Sequence, residues 1–179
     1  MIGAVIGDIV GSVFEWDRIK TKEFPLFCDK SDFTDDTVMT MAVADAMLNR
    51  KPYAPTLQEW GRRYPGRGYG SMFARWLESE TPEPYGSFGN GSAMRVSAVA
   101  CLLDSADEVM AEARRSAEVS HDHTEGIKGA QATAVAILMG RQGETKEAMR
   151  TCIRRKFHYD LDRTIGQIRP SYVFDETCQ

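Results

Sequence analysis

The chain has 179 residues, of which 42% are hydrophobic and 27% charged, a composition typical of a globular domain with a substantial core. Its net charge of −4 provides no general attraction to nucleic acid or to an anionic membrane. No apolar run reaches the roughly 18 residues of a membrane-spanning helix. We therefore expect one domain that neither binds a nucleic-acid scaffold nor enters a membrane.

Helical periodicity begins at the N-terminus. Apolar residues there are spaced by four, three and four positions, namely Ile2, Ile6, Ile9 and Val13. Glycines recur at every fourth residue on one flank, at positions 3, 7 and 11. We expect this smooth stripe to let another helix approach closely.

The second predicted helix spans residues 34–49 and is apolar on nearly every side, which indicates a central buried helix. Shorter helices are predicted at 56–63 and 71–80, and another runs through Ala100 and Leu103. Ser105 and Glu108 have the spacing of a capping box that opens the next helix. The segments "TEGIKGAQATAVAILMGR" and "ETKEAMRTCIRRKF" complete the set. Because no segment shows sustained strand alternation, we predict an all-α fold.

The four cysteines are widely scattered, and no two have the C-x-x-C spacing of a zinc or redox site. They are Cys28, Cys101, Cys152 and Cys178. This distribution is typical of reduced thiols, so we expect a cytoplasmic protein.

Two adjacent aspartates stand at the start of the second helix, in "DFTDDTVMTMAVAD". One interpretation is capping, with Thr34 as the N-cap. Asp35 and Asp36 then lie at the positive end of the helix dipole, where each negative charge stabilises the helix by about 0.3–1 kcal/mol. The other is a metal site, because two carboxylates at a buried helix end repel each other and lose hydration. A hard divalent cation accepts carboxylate and hydroxyl oxygens together. The motif alone leaves both interpretations open.

Two carboxylates near the N-terminus also have two interpretations each. Glu15 is either a surface residue at a helix end or a general base beside a metal. Asp8 is either a satisfied polar group or a tie between two helices.

The loop "SFGNGSAMR" is either a turn with Ser92 as N-cap, or a cradle of backbone N–H groups for phosphate or ribose. In "SHDHTEG", His121 and His123 are too close in sequence to share a helical face. They are loop residues before a helix, or one of them binds a ligand.

Taken together, the ordered segments resemble the ADP-ribosylglycohydrolase family, which includes the dinitrogenase-reductase-activating glycohydrolase and the ADP-ribosyl-acceptor hydrolases. The resemblance spans nearly the whole chain. The segments are "GAVIGDIVGSVFEW", "FTDDTVMTMAVADAML", "GRGYGSMFARW", "SFGNGSAMRVSAVA", "SHDHTEGIKGAQATAVAI" and "SYVFDETCQ".

The resemblance implies a compact orthogonal all-α domain around a binuclear magnesium centre. It implies hydrolysis of the glycosidic bond of an ADP-ribosylated protein side chain, nucleotide or small molecule, with release of ADP-ribose. Thr34, Asp35 and Asp36 match the metal ligands, and Glu15 matches the glutamate that assists bond opening together with Asp35. The implied substrate-binding residues are Gly70, Phe88, Asn90, Gly91, Ser92 and His121.

The family's remaining metal ligands lie in a C-terminal D-x-D-T motif, and the sequence stops at Gln179 before such a motif occurs. We interpret the stretch from Asp160 to Thr164, which Arg163 interrupts, as an ordinary helix start. Residues 1–179 are thus expected to be the N-terminal two thirds of one family domain, with half of its metal ligands. We expect this chain alone to bind metal weakly, to hydrolyse poorly or not at all, and to self-associate through exposed apolar surface. The alternative function is a non-catalytic ADP-ribose-binding or regulatory module.

Overall fold

The structure, a computed structural model, describes residues 1–172 and Cys178. Within these residues it is helical and contains no β-sheet, which confirms the predicted all-α class. The last matching segment, "SYVFDETCQ", falls mostly at positions 173–177 and 179, outside the described residues. The helices are α1 (Ile2–Gly11), α2 (Asp35–Leu48), α3 (Tyr53–Arg63), α4 (Ser71–Glu78), α5 (Gly91–Met94), α6 (Ser97–Leu102), α7 (Ala106–Glu118), α8 (Thr124–Arg141), α9 (Lys146–Phe157) and α10 (Ile165–Ile168).

The chain forms two compact units, a first unit of Met1–Glu83 and a second unit of Pro84–Gln179. Our expectation of one family domain over residues 1–179 stays a prediction. Of the helices in the described residues, none is both long enough and apolar enough to cross a membrane.

Helix α2 is the central helix of the first unit, as its all-round apolar pattern predicts. Thr34 and Asn49 are its N-cap and C-cap, so the predicted bounds are correct. It packs against α1 and α3. Its buried apolar residues lie on several faces of the helix: Val38, Met39, Ala42, Val43, Ala44 and Ala46. The first turn of α2, which holds the two aspartates, is thereby anchored to the core of this unit.

Helix α1 does not pack as its glycine stripe predicts. None of its residues is buried, and Ile2 and Ile6 are 78% and 47% exposed. Within the described part of the first unit, no atom lies within 4 Å of a Cβ built on Gly3, Gly7 or Gly11. The expected close helix pair is therefore not formed there. Helix α1 is instead joined to α2 by polar contacts of Asp8.

The second unit is built around α8, which packs against α5, α6, α7 and α9. Helix α7 begins after Ser105 as predicted, but the Ser105 side chain makes no capping hydrogen bond. The capping box predicted there is wrong. A complete capping box occurs instead at α10, between Thr164 and Gln167, which confirms that the stretch before it is a helix start.

Candidate active site

Backbone contacts hold the start of α2 in place. The Thr34 hydroxyl oxygen accepts the Asp36 backbone N–H at 3.3 Å, so Thr34 caps the helix as predicted. The Asp35 backbone N–H donates to the Arg67 carbonyl oxygen at 2.8 Å. These bonds satisfy N–H groups that have no partner inside the helix. They also fix the direction in which the two aspartate side chains leave the first turn.

Asp8 binds the same turn from α1. Its Oδ2 accepts the backbone N–H groups of Thr34 and Thr37 at 2.9 and 3.1 Å and the Thr37 hydroxyl at 2.5 Å. Its Oδ1 accepts the Thr34 hydroxyl at 2.6 Å. Asp8 is therefore a tie between two helices, one of the two roles considered from the sequence. The Thr34 hydroxyl gives its proton to Asp8 and accepts one bond, which leaves one oxygen lone pair for a cation.

Three carboxylates meet beside this turn, and we name Glu15, Asp35 and Asp36 the acidic cluster. One oxygen from each lies within 4.8 Å of an oxygen from the other two. Glu15 follows a short 3-10 turn, Ser12–Phe14, at the end of α1. All three residues are half-buried. The first unit thus brings together three of the residues that the sequence assigned to metal binding and bond opening.

The electrostatics of the acidic cluster favour a cation. Burial first, and then the carboxylates of Asp36, Glu15 and Asp8 in that order, raise the pKa of Asp35 to about 7. Like charges at this spacing disfavour joint ionisation unless positive charge compensates them. The oxygens of three half-buried carboxylates and of the buried Thr34 hydroxyl match the preference of hard divalent cations. The residues present therefore fit a metal ion.

The loop before α4 contributes a residue that the sequence analysis missed. Gly68 has a φ of +97°, and a Cβ built there would lie 3.4 Å from Asp35 Oδ1 and 3.7 Å from Glu15 Oε2. The sequence assigned the neighbouring Gly70, which is the N-cap of α4. Both glycines stand in "RGYG", and the sequence does not distinguish them. In the structure Gly68 has a positive φ and lies beside the acidic cluster, whereas Gly70 has a φ of −56° and no described atom within 4 Å of a built Cβ. The substrate-binding role of Gly70 stays a prediction.

In the second unit, the structure brings Gly91 and His121 together. His121 follows α7 and is only 4% exposed, and its backbone N–H donates to the Ala117 carbonyl at 2.8 Å. A Cβ built on Gly91 would lie 2.7 Å from His121 Nε2 and 2.9 Å from Cε1. No side chain fits between this ring and the Gly91 backbone, so the position requires glycine.

The other imidazole nitrogen faces a buried polar pair that sequence reasoning did not assign. His121 Nδ1 lies 2.8 Å from the Ser120 hydroxyl oxygen. Arg95, which is fully buried, donates from Nη2 to that same oxygen at 2.9 Å. Burial, and then the charge of Arg95, lower the pKa of His121 to about 3. The imidazole is therefore neutral at physiological pH.

The remaining loop residues have mainly structural contacts. Ser92 is fully buried, and its hydroxyl donates to the Gly126 carbonyl at 2.7 Å. The N-cap of α5 is Asn90, so the interpretation of Ser92 as N-cap is wrong. Phe88 is 41% exposed, and its ring centroid lies 5.3 Å from that of His123. His123 itself caps α8 by accepting the Glu125 N–H at 3.2 Å.

The predicted site residues thus form two groups, the acidic cluster with Thr34 in the first unit and Gly91 with His121 in the second. Their convergence on one pocket stays a prediction, as do the individual substrate contacts of Phe88, Asn90 and Ser92.

The described residues form helices, and three carboxylates lie together at the capped start of one of them. Both features agree with the family that the sequence motifs resemble. Residues 1–173 match the ADP-ribosylglycohydrolase family, and the chain belongs to that family.

Among its relatives are proteins named ADP-ribosylhydrolase ARH3. The one from Danio rerio is 30% identical over 174 residues, which cover 80% of this chain and 47% of the relative. The Xenopus tropicalis protein is 29% identical over 177 residues, with 80% and 50% covered. The Homo sapiens protein is 27% identical over 180 residues, with 81% and 50% covered. The chain spans about half the length of the curated relatives it matches.

Proposed function

We propose that this protein hydrolyses the glycosidic bond of ADP-ribosylated acceptors in a magnesium-dependent reaction and releases ADP-ribose. The observation that supports this most directly is the acidic cluster of Glu15, Asp35 and Asp36 beside the capped start of α2. Family membership and relatives named as ADP-ribosylhydrolases support the same reaction class. The acceptor is a protein side chain, a nucleotide or a small molecule.

The proposed metal ligands are Thr34, Asp35 and Asp36, with Glu15 alongside. Magnesium is the proposed ion because all of these groups offer oxygen, and the family resemblance implies two ions. When bound, magnesium would supply positive charge that polarises substrate oxygens. That positive charge would also relieve the mutual repulsion of the three carboxylates.

Glu15 and Asp35 are the proposed catalytic residues. Cleavage breaks the bond between the anomeric carbon of the ribose and the acceptor atom, and that carbon takes on oxocarbenium character. The acceptor leaves with the bonding electron pair, and a water oxygen bonds to the anomeric carbon. Glu15 accepts a proton from that water and passes it to the departed acceptor. No covalent bond to the protein is needed. Asp35, which has an oxygen within 4.8 Å of a Glu15 oxygen, would act beside Glu15 as a metal ligand.

The proposed contacts with ADP-ribose come from Gly70, Phe88, Asn90, Gly91, Ser92 and His121. Among these, a neutral His121 suits an uncharged hydrogen bond to a ribose or phosphate oxygen rather than an ion pair. The proposed partner is therefore the ADP-ribosylated substrate. The proposed compartment is the cytoplasm, because the four free cysteines stay reduced there.

The test is release of ADP-ribose from an ADP-ribosylated peptide by the 179-residue chain, with magnesium and with a chelator. We expect slow turnover at most by this chain alone, and we expect that turnover to require magnesium and to be absent in Asp35→Ala. Glu59→Gln, which removes an exposed carboxylate on α3, is the matched control and should behave like the wild-type chain. Turnover that continues in the chelator or in Asp35→Ala would contradict the metal-dependent reaction. ADP-ribose binding that neither the chelator nor Asp35→Ala changes would support the non-catalytic binding module.

A further inference from the structure

Arg67, in the loop before α4, binds the segment that leads into α2 through both its backbone and its side chain. Its carbonyl oxygen accepts the Asp35 backbone N–H at 2.8 Å. Its Nη1 donates to Asp32 Oδ2 at 2.5 Å and to the Phe33 carbonyl oxygen at 3.1 Å. We name these contacts the Arg67 clamp, because one residue of the loop holds three residues of the other segment.

The Arg67 guanidinium also lies on an aromatic face. Its Cζ is 3.8 Å from the centroid of the Phe33 ring, which is within the range of a cation–π contact. The Phe33 ring packs edge-on against Tyr64, with the two centroids 5.9 Å apart. Tyr69, two residues after Arg67, donates its hydroxyl to the Tyr64 carbonyl oxygen at 2.9 Å. The loop is therefore attached to the same group of aromatic residues on both sides of Gly68.

The ion pair within the clamp has a small effect on stability. The side chains of Arg67 and Asp32 are 28% and 62% exposed, and ion pairs in contact with water contribute little to the free energy of unfolding. The hydrogen bond from Arg67 lowers the pKa of Asp32, so this carboxylate is charged at neutral pH. The consequence of the pair is therefore the direction in which it holds the loop.

The loop held in this way lies against the acidic cluster. Gly68 directly follows Arg67, and a Cβ built on it would lie 3.4 Å from Asp35 Oδ1 and 3.7 Å from Glu15 Oε2. Asp35 is thus contacted twice, at its backbone N–H by Arg67 and beside its carboxylate by Gly68. A shift of the loop would change the space beside both carboxylates.

We infer that Arg67 is a positioning residue of the proposed metal site, which fixes the "RGYG" loop to residues 32–35 and so sets the space beside Asp35 and Glu15 in which a divalent cation binds. Arg67 is not itself a ligand, because a guanidinium group has five N–H donors and no acceptor. The cation rests on the proposed function, whereas the clamp rests on contacts within the chain.

Charge and position predict opposite effects when the Arg67 side chain is replaced. Arg67→Met removes a positive charge from the neighbourhood of the acidic cluster, which by electrostatics alone would strengthen Mg²⁺ binding. Loss of the clamp would weaken it. We expect calorimetry to show a loss of about tenfold in Mg²⁺ affinity, as is typical for residues that orient metal ligands. Unchanged or tighter binding would overturn the inference.

Arg67→Lys is the variant that should restore binding. Both side-chain hydrogen bonds leave from Nη1, so a single ammonium group can donate both of them. We expect its Mg²⁺ affinity to lie within about threefold of the wild type, with the poorer stacking of an ammonium on Phe33 as the cause of the difference. A loss as large as that of Arg67→Met would contradict the clamp. Arg75→Met, at an exposed position on α4, removes the same charge and should bind Mg²⁺ like the wild type.

Hydrogen exchange of the metal-free chain, followed by NMR, tests the clamp without any cation. The Asp35 N–H is bound by Arg67, whereas the neighbouring Asp36 N–H is bound by the Thr34 hydroxyl. We expect Arg67→Met to accelerate exchange by about tenfold at Asp35 and by about twofold or less at Asp36. Equal acceleration at the two amides would show general loosening of α2 and refute the clamp, as would unchanged exchange at Asp35.

Asp32→Asn provides a second route to the same result, because it removes the ion-pair partner of Arg67 at an exposed position. We expect it to accelerate exchange at Asp35 in the same way, and the double variant Asp32→Asn/Arg67→Met to bind Mg²⁺ no more weakly than Arg67→Met. Additive losses would contradict a shared clamp. If exchange at Asp35 responds as expected but the wild-type chain binds no Mg²⁺, the contact is real, and the proposed metal site fails together with the positioning role.

Discussion

The carboxylate of Asp8 accepts both the backbone N–H and the hydroxyl of Thr34, at 2.9 and 2.6 Å. One side chain on α1 thus fixes the residue that caps α2. The acidic cluster lies in the turn that follows, and its geometry depends on this contact as well as on the cap itself.

Removing this contact should destabilise the first unit. We expect Asp8→Ala to lower the free energy of unfolding by about 2–3 kcal/mol, because it removes charge-assisted hydrogen bonds to two N–H groups and two hydroxyls. Urea unfolding in the presence of a chelator measures this without metal binding. Asp17→Ala, at an exposed position in the same unit, is the control and should change stability by less than about 0.5 kcal/mol. Equal effects of the two variants would contradict the role of Asp8.

The acidic cluster should bind magnesium. We expect calorimetry to detect Mg²⁺ binding to the wild-type chain and a loss of at least about tenfold in affinity for Asp36→Asn, which removes a charged oxygen ligand. Glu59→Gln carries the same change in net charge on α3 and should bind like the wild type. Comparable weakening by both substitutions would indicate general electrostatic attraction and no defined site.

Gly68 offers a test that separates backbone strain from crowding of the acidic cluster. Gly68 and Gly66 both have positive φ, +97° and +73°, so alanine strains the backbone at either position. Only at Gly68 does the added methyl group contact Asp35 and Glu15. We expect Gly68→Ala to weaken Mg²⁺ binding more than Gly66→Ala, because the methyl group occupies space beside the carboxylates. Indistinguishable affinities would show that Gly68 matters for its backbone alone.

Gly91 should be intolerant of a side chain for a different reason. A Cβ there would lie 2.7 Å from His121 Nε2, a distance at which the ring or the loop must shift. We expect Gly91→Ala to weaken ADP-ribose binding by about tenfold or more. The matched control is Gly140→Ala in α8 of the same unit, where no described atom lies within 4 Å of the built Cβ. The idea fails if the two variants bind ADP-ribose equally well.

His121 should make the chain sensitive to acid. Its folded pKa of about 3 lies below the ordinary value of 6.5, so below pH 6.5 the unfolded chain takes up a proton that the folded chain does not. The stability associated with the neutral ring is complete above pH 6.5 and is lost as the pH falls towards 3. The loss at pH 5 is about 2 kcal/mol.

Unfolding of the wild type and of His121→Gln at pH 7 and pH 5 measures this loss. We expect the difference in stability between the two pH values to be smaller in His121→Gln, since glutamine does not titrate. Identical pH dependence in the two proteins would contradict a buried neutral histidine.

Sequence reasoning succeeded where the signal is local. Thr34 precedes two aspartates and a run that is apolar on every side, and a cap and a buried helix depend on neighbours within a few residues. The bounds of α2 follow from that pattern. Local spacing was not sufficient at Ser105, whose predicted capping bond is missing, because a cap also depends on how the chain enters the helix.

Tertiary structure decided which residues meet. Glu15 and Asp35 are twenty positions apart, and their approach depends on the 3-10 turn after α1 and on the Asp8 contact with α2. The raised pKa of Asp35 follows from that approach and from burial. No periodicity in the sequence predicts either, since both arise from contacts between separate segments.

The two histidines illustrate the same division. From the sequence, His121 and His123 are equivalent loop residues before a helix, and only the family resemblance favoured His121. In the structure, His121 is buried against Ser120 and Arg95, whereas His123 is exposed and caps α8.

The sequence by itself determined the helical class and the chemical types of side chain available to the site. Tertiary packing decided the environment of each side chain, and that environment sets its charge state and its hydrogen bonds. The physical reason is that burial and the approach of a charged group depend on residues distant in the chain.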